Sequence, residues 1–149
     1  MIKNVLKVLL LVSLCSCFEG NDTATGSLRN FVKRVSANSL SQEDYSDYAQ
    51  GDLLDSILAM DEEEFKSYQE QSTLDGVQLD ILSENCSKTN CTITYLTKYT
   101  SKTSDGSSYN SEVRKIAELE KFDEAWKVIS VQNVKTYLEA QEGLNPLKD

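Results

Sequence analysis

The sequence has no histidine, only one proline and little positive charge. Without an imidazole, the chain has no Ser-His or Cys-His catalytic pair and no His-ligated zinc site. Its 149 residues carry 15 lysines and arginines against 24 aspartates and glutamates, a formal charge of −9. Because phosphate binding depends on lysine and arginine, this balance argues against nucleic acid as a partner. The sequence also lacks a phosphate-binding glycine loop and EF-hand spacing, so we predict no cofactor and no metal.

The N-terminus has the features of an export signal that ends at residue 16. Two lysines precede a short apolar run, residues 8–14, and this run is too short for a bilayer core that needs about 20 apolar residues. The next residues, Leu14-Cys15-Ser16-Cys17, resemble the lipobox of bacterial lipoproteins. The resemblance implies cleavage before Cys17 and acylation of Cys17 with chains such as palmitate. The alternative is an ordinary secretory signal that is cut near Ser16.

The same resemblance predicts where the exported chain resides. Phe18 follows Cys17, and the absence of aspartate at that position is typical of lipoproteins sent to the outer membrane rather than kept at the inner membrane. Several acyl chains make a firm membrane anchor, whereas one holds only marginally. Without residues 1–16, 13 basic and 24 acidic residues remain, a formal charge of −11. Such a surface is either simply solvated or able to steer a basic protein partner.

Helical patterns occupy the first half of the exported chain. Residues 17–26 hold the lipidated cysteine and a small, polar stretch that predicts a flexible tether. Ser27 is predicted to cap a helix whose apolar residues recur at helical spacing, and further helical segments are predicted over residues 41–49, 52–60 and from 61 onward. The acidic run at residues 61–64 resembles a metal cluster, but stabilisation by the helix dipole explains it more simply.

From residue 77 onward the hydrophobic period changes to two, which is typical of strands. We predict strands over residues 77–86, 91–99, 109–121 and 126–137, with a bulge where the apolar face of the third strand switches. Turns are predicted at residues 87–90, 104–107 and 123–124. The pattern therefore indicates an α+β fold, in which helices cover one face of a curved four-stranded antiparallel meander. The domain is expected over residues 27–137, and a loose tail over residues 138–149.

Residues 115–129 contain an apolar-charged strand, an Asp123-Glu124 turn and the run Trp126-Lys127-Val128. Together with the preceding helices and strands, this segment resembles the nuclear-transport-factor-2-like superfamily, which has a cystatin-like cone fold, and small bacterial lipoproteins of unassigned function within it. Glu124 stands where the family pattern has glycine, so we predict a longer loop there, because a type I′ turn would need positive φ. Trp126 is predicted to be a core anchor.

Two of the four cysteines are predicted to form a disulfide. Cys86 and Cys91 flank the turn between the first two strands, which places their side chains across from each other. An exported chain meets an oxidising compartment, where such a pair is oxidised. A redox-active pair is the alternative, but that function normally uses Cys-x-x-Cys at the start of a helix.

The resemblance also implies a ligand site. Enzymes of the superfamily bind a small hydrophobic ligand between sheet and helices, and Tyr48, Asp80, Tyr95 and Tyr99, with Asp55, are the candidates here. Tyrosines at period two belong more often to a core or a sheet surface than to a catalytic site. We therefore expect a non-catalytic, membrane-anchored module that binds a protein or a small apolar ligand. The alternatives are a divergent enzyme of the isomerase or dehydratase type, and an inhibitor or immunity lipoprotein for a basic toxin.

Overall fold

The computed structural model describes residues 22–102 and 106–140, in which the helices precede the strands. The helices are α1 (Ala24–Ser36), a short 3-10 helix (Glu43–Asp47), α2 (Gly51–Leu58) and α3 (Glu62–Ser72). The strands are β1 (Gln78–Cys86), β2 (Asn90–Lys102), β3 (Ser108–Phe122) and β4 (Ala125–Ala140), paired antiparallel in the order β1-β2-β3-β4. The expected α+β class, with helices packed on a curved four-stranded meander, is confirmed.

The termini of the domain differ from the sequence prediction. Helix α1 begins at Ala24, within the predicted tether, because the hydroxyl of Thr23 rather than Ser27 caps it, accepting from the Gly26 amide at 3.0 Å. The small residues of this first turn pack closely enough to be buried. At the other end, β4 continues to Ala140, which pairs with Tyr109, so residues 138–140 belong to the strand and not to the predicted tail. The predicted signal and Cys17 lie outside the described residues.

The acidic run before α3 starts the helix, as the simpler interpretation expected. Asp61 accepts a hydrogen bond from the Glu64 amide at 2.9 Å, and Glu64 accepts one from the Asp61 amide at 3.2 Å. This reciprocal capping box satisfies two amides that have no partner within the helix. Behind it, the rings of Phe65 and Tyr68 pack with the buried Tyr45 at centroid distances of 6.0 and 6.1 Å, which joins α3 to the 3-10 helix.

The sheet has an inner face under the helices and an outer face in contact with solvent. Alternate residues of β2 and β3 point inward, as in Ile93 and Tyr95 opposite Ala117 and Lys115. Of these four residues Lys115 is half-buried, and the other three are buried. Helices α1 and α2 pack on this face through β4. Trp126, 9% exposed, belongs to this core as predicted. No helix in the described part of the chain is long and apolar enough to cross a membrane.

The bulge predicted on the third strand is not there, and the extra residues lie on β4 instead. Strand β3 pairs with β2 in one continuous register, whereas its register with β4 shifts between Arg114 and Lys115 and again between Glu118 and Leu119. Because Arg114 pairs with Lys135 and Lys115 pairs with Asn133, the intervening Val134 has no partner on β3. The predicted switch of face on β3 is therefore wrong.

The predicted longer loop after Phe122 is also wrong. Phe122 pairs with Ala125, which leaves a two-residue turn in which Asp123 has φ +46° and Glu124 has φ +69°. Both residues occupy the left-handed region that a type I′ turn requires. The Glu124 carboxylate lies 2.9 Å from the Lys121 ammonium, so the hairpin tolerates the missing glycine with an ion pair beside the turn.

Candidate functional site

A cavity of about 460 Å³ lies between α1, α3 and the inner face of the sheet, and we call it the inner cavity. Its lining is mainly apolar and aromatic, with hydroxyl and amide groups at several positions. Helix α1 contributes aromatic and aliphatic side chains, and the strands contribute the opposite wall. The residues on which the site depends are Phe31, Val32 and Val35 of α1, Tyr68 of α3, Tyr95 and Tyr99 of β2, Val113 and Lys115 of β3, and Val131 and Asn133 of β4.

Lys115 is the one charged residue among the described residues that line the inner cavity. It lies on β3 between Tyr95 of β2 and Asn133 of β4, its direct cross-strand partners. Such neighbours have Cβ atoms about 4.5–5.5 Å apart, so the side chains of Tyr95 and Asn133 flank that of Lys115 in the cavity wall. The unpaired Val134 comes directly after Asn133, and a bulge beside a site commonly re-aims the adjacent side chains.

Nothing in the described part of the chain neutralises Lys115. It forms no hydrogen bond or ion pair there, and no aspartate or glutamate lines the cavity. Burial lowers the pKa of the Lys115 ammonium from its ordinary value of 10.5, because removal of water destabilises the charged form relative to the neutral amine. The cavity therefore contains a positive charge that lacks a counterion.

Three tyrosines line the same cavity, and we call Tyr68, Tyr95 and Tyr99 the cavity tyrosines. Tyr95 is 1% exposed, and its burial raises the pKa of the phenol well above 10.0, which keeps the hydroxyl neutral. Tyr99 lies two residues further along β2 on the same face. The cavity tyrosines therefore supply aromatic rings and phenol groups to the same lining as Lys115.

The predicted site residues are only partly brought together. Tyr95 and Tyr99 line the inner cavity, but Tyr48 and Asp80 do not. Asp80 pairs with Leu96 on the outer face, where its carboxylate lies 3.0 Å from the Lys98 ammonium. Alternation along β1 explains this placement, because the neighbouring Leu79 takes the inner face.

Tyr48 has a structural position beside β4. Its side chain packs against the core, and its carbonyl accepts a hydrogen bond from the Val128 amide at 2.9 Å. Ala49 then bridges Val128 in parallel, so this segment covers the start of the β4 edge. Asp55 is an exposed residue of α2 and does not line the cavity.

Sequence reasoning missed Lys115, although its position contained a usable signal. The sequence shows apolar residues at 113, 116, 117 and 119, which suggested a change of face. An unbroken period of two from Val113 leads instead through Lys115 to Ala117 and Leu119, with Ile116 on the outer face. The usable signal is therefore a lysine at an inward position of a long strand, with no acidic residue at a nearby inward position.

The disulfide between Cys86 and Cys91 is present where β1 meets β2, as predicted. Glu84 lies close by, with its carboxylate oxygen 3.2 Å from the Cys86 sulfur and 3.9 Å from the Cys91 sulfur. These three side chains are spaced like metal ligands, but metal binding requires free thiolates. In the oxidised protein the two cysteines are therefore a covalent link between β1 and β2.

A second hollow, of about 690 Å³, lies at the other end of the sheet. Its lining includes Asp75, Lys98 and Glu112, charges of both signs, together with the exposed Tyr137 and Leu138. Several of these residues lie on the outer face, so this hollow wraps around the end of the strands. It lacks the two packed layers that enclose the inner cavity.

Comparison with known proteins adds information about the fold only. No protein-family model matches the chain, and no curated protein sequence matches it. A SEC-C motif containing protein from Rhodopseudomonas palustris is similar in structure, with a TM-score of 0.57, 7% identity and coverage of 78% of this chain and 82% of that chain. A proposed NTF2-like transpeptidase from Campylobacter jejuni has a TM-score of 0.40 and 16% identity, over 72% of this chain and 99% of that chain. Neither likeness assigns a function.

Proposed function

We propose that this protein is a lipid-anchored envelope protein whose domain binds a small apolar molecule in the inner cavity without catalysing a reaction. The observation that carries the proposal is the cavity itself. Its volume of about 460 Å³ lies within the range of roughly 300–1,000 Å³ that is typical of small-molecule sites. Ten of the 17 described lining residues are apolar or aromatic, and the other seven supply polar groups that can orient a ligand.

Packing supports a ligand in this space. Protein interiors are close-packed, and voids larger than a water molecule are few. Val32 and Val35 of α1 are only partly buried, although they face Tyr95 and Val113 across the cavity. An apolar molecule placed between the two layers would supply the contacts that these side chains lack, and it would release water from apolar surface.

A binding role is favoured over acid–base catalysis by the character of the lining. The carboxylate expected of an enzyme of this shape, Asp80, is on the outer face of the sheet and paired with Lys98. No other aspartate or glutamate is among the described residues around the cavity. The remaining titratable groups are the cavity tyrosines and Lys115, and the pKa of Tyr95 is raised away from the neutral range where a general base operates.

Fluorescence titration with the apolar probe N-phenyl-1-naphthylamine tests the ligand-binding function. The probe should bind the wild-type protein in the micromolar range, and Val32→Trp should weaken binding by at least about tenfold, because the indole fills the cavity. Val134→Trp is the matched control, since Val134 is 53% exposed on β4 and does not line the cavity. Equal binding by the two variants would refute the assignment of the cavity.

The anchor is a separate part of the proposal and rests on the sequence around Cys17. Intact-mass analysis should show acyl chains on the wild-type protein from the membrane fraction and none on Cys17→Ala, which should move from the membrane pellet to the soluble fraction. Cys15→Ala is the control, because Cys15 is removed with the signal in the proposed processing. A Cys17→Ala chain that stays in the pellet at full amount would remove the lipid anchor from the proposal.

A further inference from the structure

We propose that the inner cavity binds single-tailed amphiphiles with an acidic head group, and that Lys115 pairs with that head group. The inference rests on the proposed ligand-binding function and adds the charge class of the ligand. It follows from the position of Lys115 within an otherwise uncharged and mainly apolar lining. The head group is identified by charge, and a carboxylate is the simplest group that fits.

The first step is the uncompensated charge. Lys115 is half-buried, and a charge that is partly withdrawn from water is costly unless it is paired. Lys115 lies inward between Tyr95 and Asn133, and it has no anionic partner in the described part of the chain. A methionine or leucine would fill the same position without this cost, so the lysine is best explained by an anion that arrives with the ligand.

The second step is the pair of neutral hydrogen-bond donors on the strands beside Lys115. The Asn133 amide and the Tyr95 phenol belong to the cross-strand neighbours of Lys115, and both residues line the cavity. A carboxylate has acceptor sites for several donors, so one head group can accept from the ammonium and from these neutral groups together. Hydrogen bonds that involve a charged group are about twice as strong as neutral ones.

The third step is the size of the tail. At about 30 Å³ per heavy atom, the share of one water molecule in the liquid, 460 Å³ holds roughly 15 heavy atoms. A saturated chain of about ten carbons with a carboxylate fits this space. The aliphatic and aromatic side chains of α1 and the sheet, such as Phe31, Val35 and Val131, provide the apolar walls.

The acidic surface of the protein does not contradict this assignment. The formal charge of −9 repels anions at long range, but repulsion between exposed charges is largely screened beyond about 10 Å in 0.1 M salt. A contact with Lys115 inside a partly desolvated cavity is screened much less. Selectivity for an acidic head group therefore depends on the local charge.

Three amphiphiles with the same tail test the inference: decanoate, decan-1-ol and decyltrimethylammonium. Their affinities are measured by displacement of N-phenyl-1-naphthylamine from the full chain carrying Cys17→Ala, so that acyl chains on the protein cannot compete. Decanoate should bind tightest and the cation weakest. Lys115→Met should reduce the preference for decanoate over decanol by at least about tenfold and should leave decanol binding unchanged.

Lys135→Met is the matched control, because it removes the same charge from the exposed part of β4. It should keep the preference of the wild-type protein. If Lys115→Met and Lys135→Met show the same preference as the wild type, or if the cation binds as tightly as decanoate, the role of Lys115 is refuted while ligand binding stands. If none of the three amphiphiles displaces a probe that is bound in the inner cavity, the inference is overturned while the ligand-binding function stands. If the probe itself does not bind, both are overturned.

Discussion

Truncation of Trp126 to alanine tests the assignment of this side chain as the anchor of the core. Trp126 is the first inward residue of β4 after the tight turn, opposite Lys121, and it belongs to the main core cluster. It is 9% exposed. Its removal therefore takes away contacts from both the sheet and the helical layer at the closed end of the last hairpin.

The magnitude follows from the buried area. A tryptophan buries about 150–250 Å², and at about 25 cal/mol per Å² this contributes roughly 4–6 kcal/mol. The unfolded chain already buries part of that area, about 10–40%, which brings the expected loss in unfolding free energy to about 3–5 kcal/mol. This agrees with the cost of large-to-small substitutions in other cores.

Urea denaturation followed by far-UV circular dichroism measures this loss without relying on the tryptophan signal. With a slope of about 1–3 kcal/mol per molar urea, the midpoint should fall by at least about 1 M. Tyr137→Ala is the matched control, since Tyr137 is an aromatic residue of the same strand that is 44% exposed, and its loss should be much smaller. A loss below about 1 kcal/mol for Trp126→Ala would refute the core assignment.

Three further predictions concern the covalent link, a helix cap and the cavity lysine. Cys86→Ser should lower the unfolding free energy by about 2 kcal/mol, as the chain-entropy model gives for a short loop. A reducing agent should lower the stability of the wild type to that of the variant and leave the variant unchanged. A wild type whose stability does not respond to reduction would contradict this prediction. Asp61→Ala should cost about 1 kcal/mol in urea denaturation by removing the capping box, whereas Glu63→Ala, in the same turn but outside the cap, should cost less; equal losses would contradict the cap. Lys115→Met should be more stable than the wild type at neutral pH, because burial lowers the folded pKa of Lys115 below 10.5 and the charged form therefore disfavours the folded state. The cost should disappear as pH rises through the folded pKa toward 10.5, so thermal melts of both proteins should converge there; the cavity tyrosines, the other titratable groups around Lys115, are common to both proteins. A difference that does not change with pH would refute the titration of Lys115.

Local sequence signals were sufficient to predict the helices and strands and their order along the chain. The change from a helical period to a period of two placed the boundary between helices and strands close to residue 77, and β1 begins at Gln78. The acidic run at Asp61 and the cysteines at 86 and 91 also had local explanations that the structure confirms. These features depend on neighbours a few residues away, which the sequence itself displays.

Contacts between distant residues decided the corrections. The two-residue turn at Glu124 forms because β3 and β4 keep their pairing up to Phe122 and Ala125, so tertiary pairing overrides the local preference for glycine. Likewise, α1 begins at Ala24 because its small first-turn residues find a core to pack against. Neither outcome is contained in the propensity of the residues concerned.

The sequence by itself determined the helices-then-strands order, the acidic charge, the disulfide pair and the fact that Tyr95 and Tyr99 share a face of their strand, since all of these follow from composition, spacing or alternation. Only the tertiary structure decided that Asp80 faces outward and that Lys115 lies in the wall of a cavity. The physical reason is that a hydrophobic period of two shows only which residues share a face of a strand. The environment of that face depends on which helices pack against it. A lysine on an inward row becomes a binding candidate only when the packed layers leave space beside it and bring no counterion.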